Sequence, residues 1–170
     1  RAAAGERMRT LDGVERSLAA DMVVIADADR AVAVAGVMGG EESEVTAETR
    51  DVLLECALFE PKSIRRTRRA LGLSTDASYR FERGVDPEGM ELAARRAVAL
   101  IVAVAGGTPA DVVLDVKPSE WQAPVVELRP ARVAHVLGTE LAEEEIVSLL
   151  EPIGFRVEGR MPAGALRVRV

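Results

Sequence analysis

Residues 75–87, Thr-Asp-Ala-Ser-Tyr-Arg-Phe-Glu-Arg-Gly-Val-Asp-Pro, constrain this chain more than any other stretch. They set five charges, two aromatic rings, a glycine and a proline between two helical segments. Asp76, Arg80, Glu82, Arg83 and Asp86 are residue types almost never fully buried unless paired, so the stretch does not have the composition of a core element. A flexible linker, in turn, would lack Tyr79 and Phe81. Charges of both signs, punctuated by Gly84 and ended by Asp86-Pro87, predict an ordered loop that pairs with itself and leads into a helix. The stretch first reads as the hub of a site, and set beside Glu55 and the glycine run it is expected to be a structural wall, with Arg80, Glu82, Arg83 and Asp86 pairing to hold its shape.

A chain of 170 residues has room for one core, or for one module and part of a second. Aromatic residues are only 3% of it, so Val, Leu, Ile and Ala must fill the interior. The net charge of −6 argues against a wholly basic nucleic-acid binder. Between Lys62 and Arg96, however, nine Lys/Arg face five Asp/Glu, and a polyanion would be met there. The single cysteine, Cys56, excludes a disulfide within the chain and is expected to be a buried thiol. Arg1-Ala-Ala-Ala-Gly5 is neither a signal peptide nor a start methionine, and the longest apolar run, residues 97–105, is too short to span a membrane. An internal piece of a cytoplasmic protein is expected.

Along the chain, residues 7–16 read as a hairpin turned by Asp12-Gly13. Apolar strands are expected at 22–25 and 31–37, the second running into Ala35-Gly36-Val37-Met38-Gly39-Gly40. The glycines remove side chains where a strand ends, which suits either a small-walled pocket or a plain turn. No Gly-Lys-Ser/Thr and no Gly-x-Gly-x-x-Gly enters a helix here, which argues against a phosphate loop. Residues 51–59 read as a strongly buried strand interrupted by Glu55. A carboxylate there is costly unless it is hydrogen-bonded or faces a polar cavity; the alternative is an edge position pointing to water.

Pro61 opens a helix that Gly72 closes. Lys62, Arg65, Arg66, Arg68 and Arg69 leave it a narrow packed stripe of Ile64, Thr67 and Leu71. These cations make either a soluble face or a set of sequence-independent phosphate contacts. Residues 88–105 are expected as a packing helix stopped by Gly106-Gly107, followed by a strand at 110–117 and a linker at 118–124. From Val125 the order is strand, helix from Pro130 to Gly138, helix at 143–150, and strands at 155–158 and 166–170. That order suggests a winged-helix-like unit, with His135 a surface or satisfied histidine rather than a catalyst.

With those pieces placed, the chain resembles the β subunit of bacterial phenylalanine–tRNA ligases. Four blocks in order carry the resemblance: Gly-Glu-Arg-Met-Arg-Thr-Leu-Asp-Gly at 5–13, Ala-Gly-Val-Met-Gly-Gly-Glu at 35–41, Leu-Glu-Cys-Ala at 54–57, and residues 75–87. It implies an α+β chain. Residues 1–117 would be the later half of a mixed-sheet tRNA-editing module, 118–124 a linker, and 125–170 an incomplete, small winged-helix-like α/β module.

The editing module of that family hydrolyses tyrosine wrongly esterified to the phenylalanine tRNA. An apolar amino-acid pocket cannot strongly exclude an analogue that merely adds a hydroxyl, so a second site must reward the phenolic OH with a hydrogen bond. The resemblance makes Glu55 the carboxylate that recognises that hydroxyl, Ala35, Gly36 and Gly39 small residues lining the pocket, and Ala77 another wall position. It assigns no catalytic side chain and no metal ligand within these residues. A positioned water, helped by backbone groups and the tRNA's terminal ribose, would attack the ester.

The implied partners are phenylalanine tRNA, the mischarged tyrosyl ester and the α subunit of an α2β2 heterotetramer. ATP and Mg2+ serve the whole enzyme, with no cofactor in this stretch. The family's editing Arg, Thr and His are expected upstream of Arg1, so the isolated chain is expected to be inactive. The family's acidic magnesium ligands are expected beyond Val170. Tyr79 stands where the family often has His. The alternative is a non-catalytic scaffold and tRNA-binding segment of the same subunit.

Overall fold

The computed structural model describes residues 1–117, 119 and 121–170, and the chain divides into two compact units, Arg1–Val113 and Leu114–Val170. Both combine helices with small sheets, so the fold is α+β, as expected. Every strand pairing among the described residues is antiparallel, where a mixed sheet was expected. In the first unit the strands are joined by only a few residues, too short for the crossover that a parallel pair requires.

The first unit begins with the hairpin of β1 (Arg7–Arg9) and β2 (Glu15–Ser17), in which Met8 faces Arg16 across the ladder. A second sheet follows in the order β3 (Val24–Ala26), β4 (Ala31–Val34), β5 (Met38–Gly39), and a bridge between Thr10 and Gly40 joins the two. Helix α1 (Pro61–Leu71) starts where the sequence places it. The Glu60 carboxylate accepts the amides of Lys62 and Ser63 at 3.0 and 2.5 Å, and Pro61 fills the first helical position. It buries Ser63, Ile64 and Thr67, and Ile64 and Leu73 complete a core with Met8, Leu18, Met22, Val34 and Val37.

Other expectations for this unit give way. Residues 75–87 do not form a loop throughout: Asp76–Phe81 is a short helix, α2, and Ser78 and Glu82 are buried. Residues 51–59 form no strand, and Leu53 is 95% exposed. A strand is stable only when a neighbour takes its amides and carbonyls, and no backbone bond reaches these residues from the described chain. Cys56, expected to be buried with that strand, is exposed with it. The strand expected at 110–117 is likewise absent, with Val112, Val113, Leu114 and Val116 exposed. Helix α3 (Met90–Ala105) forms but buries no residue fully, so it is not the packing helix its periodicity suggested. Its side-chain contacts include an Arg95–Glu91 pair and a bond from the Cys56 thiol to the Met90 carbonyl.

The second unit holds β6 (Val125–Leu128), α4 (Pro130–Leu137), α5 (Glu143–Leu150), β7 (Arg156–Arg160) and β8 (Leu166–Arg169). Its sheet runs β6-β8-β7, giving two helices and a three-stranded ribbon in the expected order. Among the described residues of this unit Ile146, Ala165, Leu166 and Val168 are buried, and Glu158 ties Arg167 and Arg169 across β7 and β8. His135 is exposed on α4. Of the linker expected at 118–124, Pro118 and Glu120 lie outside the described residues. Among the described residues no helix is long and apolar enough to cross a membrane.

Candidate functional site

The glycine run makes a corner between β4 and β5, and the helices close on it. Gly36 has φ +64°, a conformation that side chains rarely adopt. A Cβ there would lie 2.9 Å from Phe59 Cδ2, 3.0 Å from Ile64 Cδ1 and 3.3 Å from Phe81 Cδ2. The space that the missing side chain vacates is therefore filled by α1, α2 and the ring of Phe59. Phe59 and Phe81 themselves meet at 5.0 Å between centroids, tilted by 59°. Gly40 is needed for a different reason: a Cβ on it would come within 2.6 Å of the Val32 carbonyl oxygen.

Thr75 fastens α2 to this corner. Its hydroxyl donates to the Val37 carbonyl at 2.6 Å and accepts the Ser78 amide at 3.1 Å, while the Ser78 hydroxyl accepts the Thr75 amide at 3.0 Å. One hydroxyl thus caps the helix and fixes the strand end at the same time.

Glu82, just after α2, fastens the helix pair. It is 7% exposed, and its carboxylate meets Arg68 Nε at 2.6 Å, Arg83 at 3.1 Å and Arg65 at 3.8 Å. The hydrogen bond from Arg68, outweighing desolvation, and then the charges of Arg68, Arg83 and Arg65 hold this carboxyl below the ordinary glutamate value of 4.5. Arg83 also lies over the Tyr79 ring, 3.5 Å from its centroid, and donates to the Tyr79 carbonyl at 2.7 Å.

A third fastening sits at the hairpin. Arg16 donates to the Thr10 hydroxyl at 2.9 Å, to the Leu71 carbonyl at 3.0 Å and to Asp12 at 2.5 Å. The Thr10 hydroxyl bond, and after it Arg16, keep the Asp12 carboxyl below its usual range.

The residues that the resemblance singled out are placed unequally. Ala35 is 1% exposed and Gly36 partly buried, both in the corner; Gly39 is partly buried beside Leu11, whose Cδ1 a Cβ would approach to 3.1 Å. Ala77 is exposed in the first turn of α2, the helix whose cap bonds Val37. Glu55 is exposed in the irregular 51–59 segment, and no hydrogen bond or ion pair to it occurs among the described residues. Desolvation by the atoms crowding it pushes its carboxyl above the usual glutamate range. No hydrogen bond joins Glu55 to the other four.

A cleft of about 420 Å³ lies elsewhere, lined by Arg7, Arg9, Asp27, Arg30, Glu42 and Ser43 among others, and none of the five residues borders it. Its guanidinium groups are taken up by carboxylates, Arg7 by Glu15, Arg9 by Glu41 and Arg30 by Glu42. Among the described residues no group of three or more His, Cys, Asp or Glu side chains is placed to hold a metal ion.

The fastening residues Thr75, Arg16 and Arg68 escaped the sequence reading. The Thr75-x-x-Ser78 spacing is the signal that would have found the cap. The Arg68–Glu82 pair, 14 residues apart, leaves no comparable signature.

A family model described as the B3/4 domain matches residues 1–106. The phenylalanine–tRNA ligase beta subunit of Salinibacter ruber is 54% identical over 149 residues, which is 88% of this chain and 18% of that protein. The corresponding subunit of Moorella thermoacetica is 52% identical over 162 residues, 95% of this chain and 20% of that protein. That of Vibrio vulnificus is 48% identical over 155 residues, 91% and 20% respectively. The chain thus spans about a fifth of the length of these relatives. It belongs to the B3/4 domain family, and the relatives it matches along most of its length are phenylalanine–tRNA ligase beta subunits.

Proposed function

We propose that this chain contributes to the hydrolytic editing of tyrosine mischarged on phenylalanine tRNA, as part of the β subunit of a cytoplasmic α2β2 ligase that uses ATP and Mg2+. The supporting observation is Glu55: a carboxylate in an apolar run, partly desolvated so that its proton affinity is raised, with no hydrogen-bond partner among the described residues. A group left in that condition gains a bond when a phenolic hydroxyl arrives and gains nothing from a phenyl ring. In this reading Glu55 orients the tyrosyl ester and Ala35, Gly36, Gly39 and Ala77 are the small residues of the pocket wall, with Gly36 packed under Phe59, Ile64 and Phe81. Water adds to the ester carbonyl, the bond to the ribose oxygen breaks, and that oxygen takes up the proton, releasing tyrosine and uncharged tRNA. ATP and Mg2+ belong to the aminoacylation reaction of the whole ligase, and no residue of this chain is assigned to hold them.

The test is Glu55→Ala in the intact αβ enzyme. Hydrolysis of tyrosyl-tRNA should fall by about tenfold or more, the order expected for one hydrogen bond to a charged group. Phenylalanine activation should not change. Undiminished tyrosyl-ester hydrolysis would remove Glu55 from the site. The ionised carboxylate accepts the phenolic hydrogen, so preference for the tyrosyl ester should rise as pH climbs through the raised Glu55 value and then level off, and Glu55→Gln should abolish that rise.

The exposure of Glu55 and Ala77 favours a second reading, in which this segment is a scaffold that binds tRNA without doing chemistry. Loss of tyrosyl-ester hydrolysis in Glu55→Ala of the intact enzyme contradicts the scaffold reading. A deacylase assay of the 170-residue chain beside the intact subunit tests the upstream residues, and activity in the chain alone contradicts the expectation that they are required.

A further inference from the structure

Helix α1 carries five cations, and the structure sorts them into two groups with different duties. Arg68 and Arg65 turn to Glu82 and hold α2 in place. Lys62, Arg66 and Arg69 recur at i, i+4 and i+7, on the opposite side of the helix from the buried Ser63, Ile64 and Thr67. All three are exposed. Among the described residues Arg66 is held only by Asp21, with both side chains more than half exposed, and such a pair contributes little. The side chains of Lys62 and Arg69 have no acidic partner among the described residues. The result is a cationic stripe roughly 10 Å long, given the helical rise per residue. It lies on a chain whose net charge is −6, so an approaching polyanion is repelled elsewhere and drawn to this face.

We infer that the Lys62–Arg66–Arg69 face of α1 is a docking surface for the phosphate backbone of RNA, distinct from the glycine corner. The chemistry of the face decides for phosphate over base contact. It offers three long, flexible cations, and the exposed ring of Tyr79 on α2 already has Arg83 over its face. Binding there is sequence-independent and serves to hold an RNA against the first unit. The choice of tRNA as the natural occupant rests on the editing reading above; the charge pattern does not.

The experiment measures binding of fluorescently labelled, uncharged phenylalanine tRNA to the 170-residue chain as salt is varied from 50 to about 200 mM, a range over which phosphate contacts dominate affinity. Lys62→Glu/Arg69→Glu should weaken binding about tenfold or more and flatten the slope of log affinity against log salt by roughly 1.5, the loss of two phosphate contacts. Arg50→Glu/Arg96→Glu, an equal change of net charge at two other exposed arginines, should leave both quantities nearly as they were. Lys62→Gln/Arg69→Gln, with an unchanged thermal unfolding midpoint, guards against a folding defect and should give a smaller loss in the same direction.

Equal losses in the control pair, an unchanged slope in the α1 pair, or no detectable binding by the unaltered chain at 50 mM salt would each overturn the inference. So would loss of retention on polyglutamate with RNA affinity intact, which would assign the face to an acidic protein. The editing reading fails separately, through Glu55→Ala in the intact enzyme.

Discussion

The corner around Gly36 and the segment at 51–59 carry neighbouring blocks of the same family resemblance, yet they are built in opposite ways. At the corner nearly every group is committed. Three side chains close over Gly36 where a Cβ would stand, the Thr75 hydroxyl makes two bonds, and Glu82 holds three guanidinium groups. At 51–59 the backbone has no partner in the described chain, Leu53 is almost wholly exposed, and Glu55 has no bond. The difference teaches that a motif dense in charge need not be the place where chemistry happens. Residues 75–87 spend their polar groups on holding α1, α2 and the strand end together. Glu55, a carboxylate with no bond among the described residues, lies in the irregular segment instead.

Substitutions should separate the two regions, and the largest effect is expected at Gly36. Gly36→Val forces a β-branched residue to φ +64° and into contact with Phe59 and Ile64. Denaturant titration should show a loss on the order of 3 kcal/mol or an unfolded first unit. A stable, well-folded Gly36→Val chain would break the contrast outright.

Next comes Glu82→Ala, which leaves Arg68 without its principal partner. The melting midpoint should fall by on the order of 10 °C. The pH response of the unaltered chain supplies an independent check. The folded Glu82 value lies below the ordinary 4.5, so this stabilisation is complete above 4.5 and is lost as pH falls through the depressed value. Glu82→Gln should remove that part of the acid sensitivity, seen as a flatter dependence of the midpoint on pH below 4.5.

Thr75→Val keeps the shape but removes the cap and the bond to Val37, which should cost about 1–2 kcal/mol by the same titration. Smallest of all, Glu55→Gln should change stability by less than about 0.5 kcal/mol, as is usual for an exposed side chain without partners. A larger loss would show that Glu55 is structural and erase the distinction between the regions.

How much could be read from the sequence follows from whether each element is specified locally. The Asp12-Gly13 turn, the Pro61 start of α1 and its end at Gly72 are signals a few residues long, and the structure has all three. The helix at Asp76–Phe81 was hidden because its stop is not a glycine at the helix end and its charged composition resembled a loop. Residues 51–59 and 110–117 have the apolar, β-branched composition of strands. Composition supplies the side chains of a strand but not the neighbour that must accept its hydrogen bonds. The burial expected for Cys56 depended on that strand and went with it. At the candidate site, the small residues of the corner were legible as a glycine run. Their engagement by Phe59, Ile64 and Phe81 was not, because those contacts join positions far apart in the chain.

Arg16 has a consequence for the order in which the first unit is assembled. Its bond to the Leu71 carbonyl spans 55 residues, so the hairpin, which is synthesised before α1, waits for the last turn of that helix before this clasp can close. Until then the Met8–Leu18 side of the nascent core lacks Ile64 and Leu73, the residues that complete it. Closing a loop of that length contributes to a high contact order, and folding of the unit should be slow relative to a helical bundle of similar size.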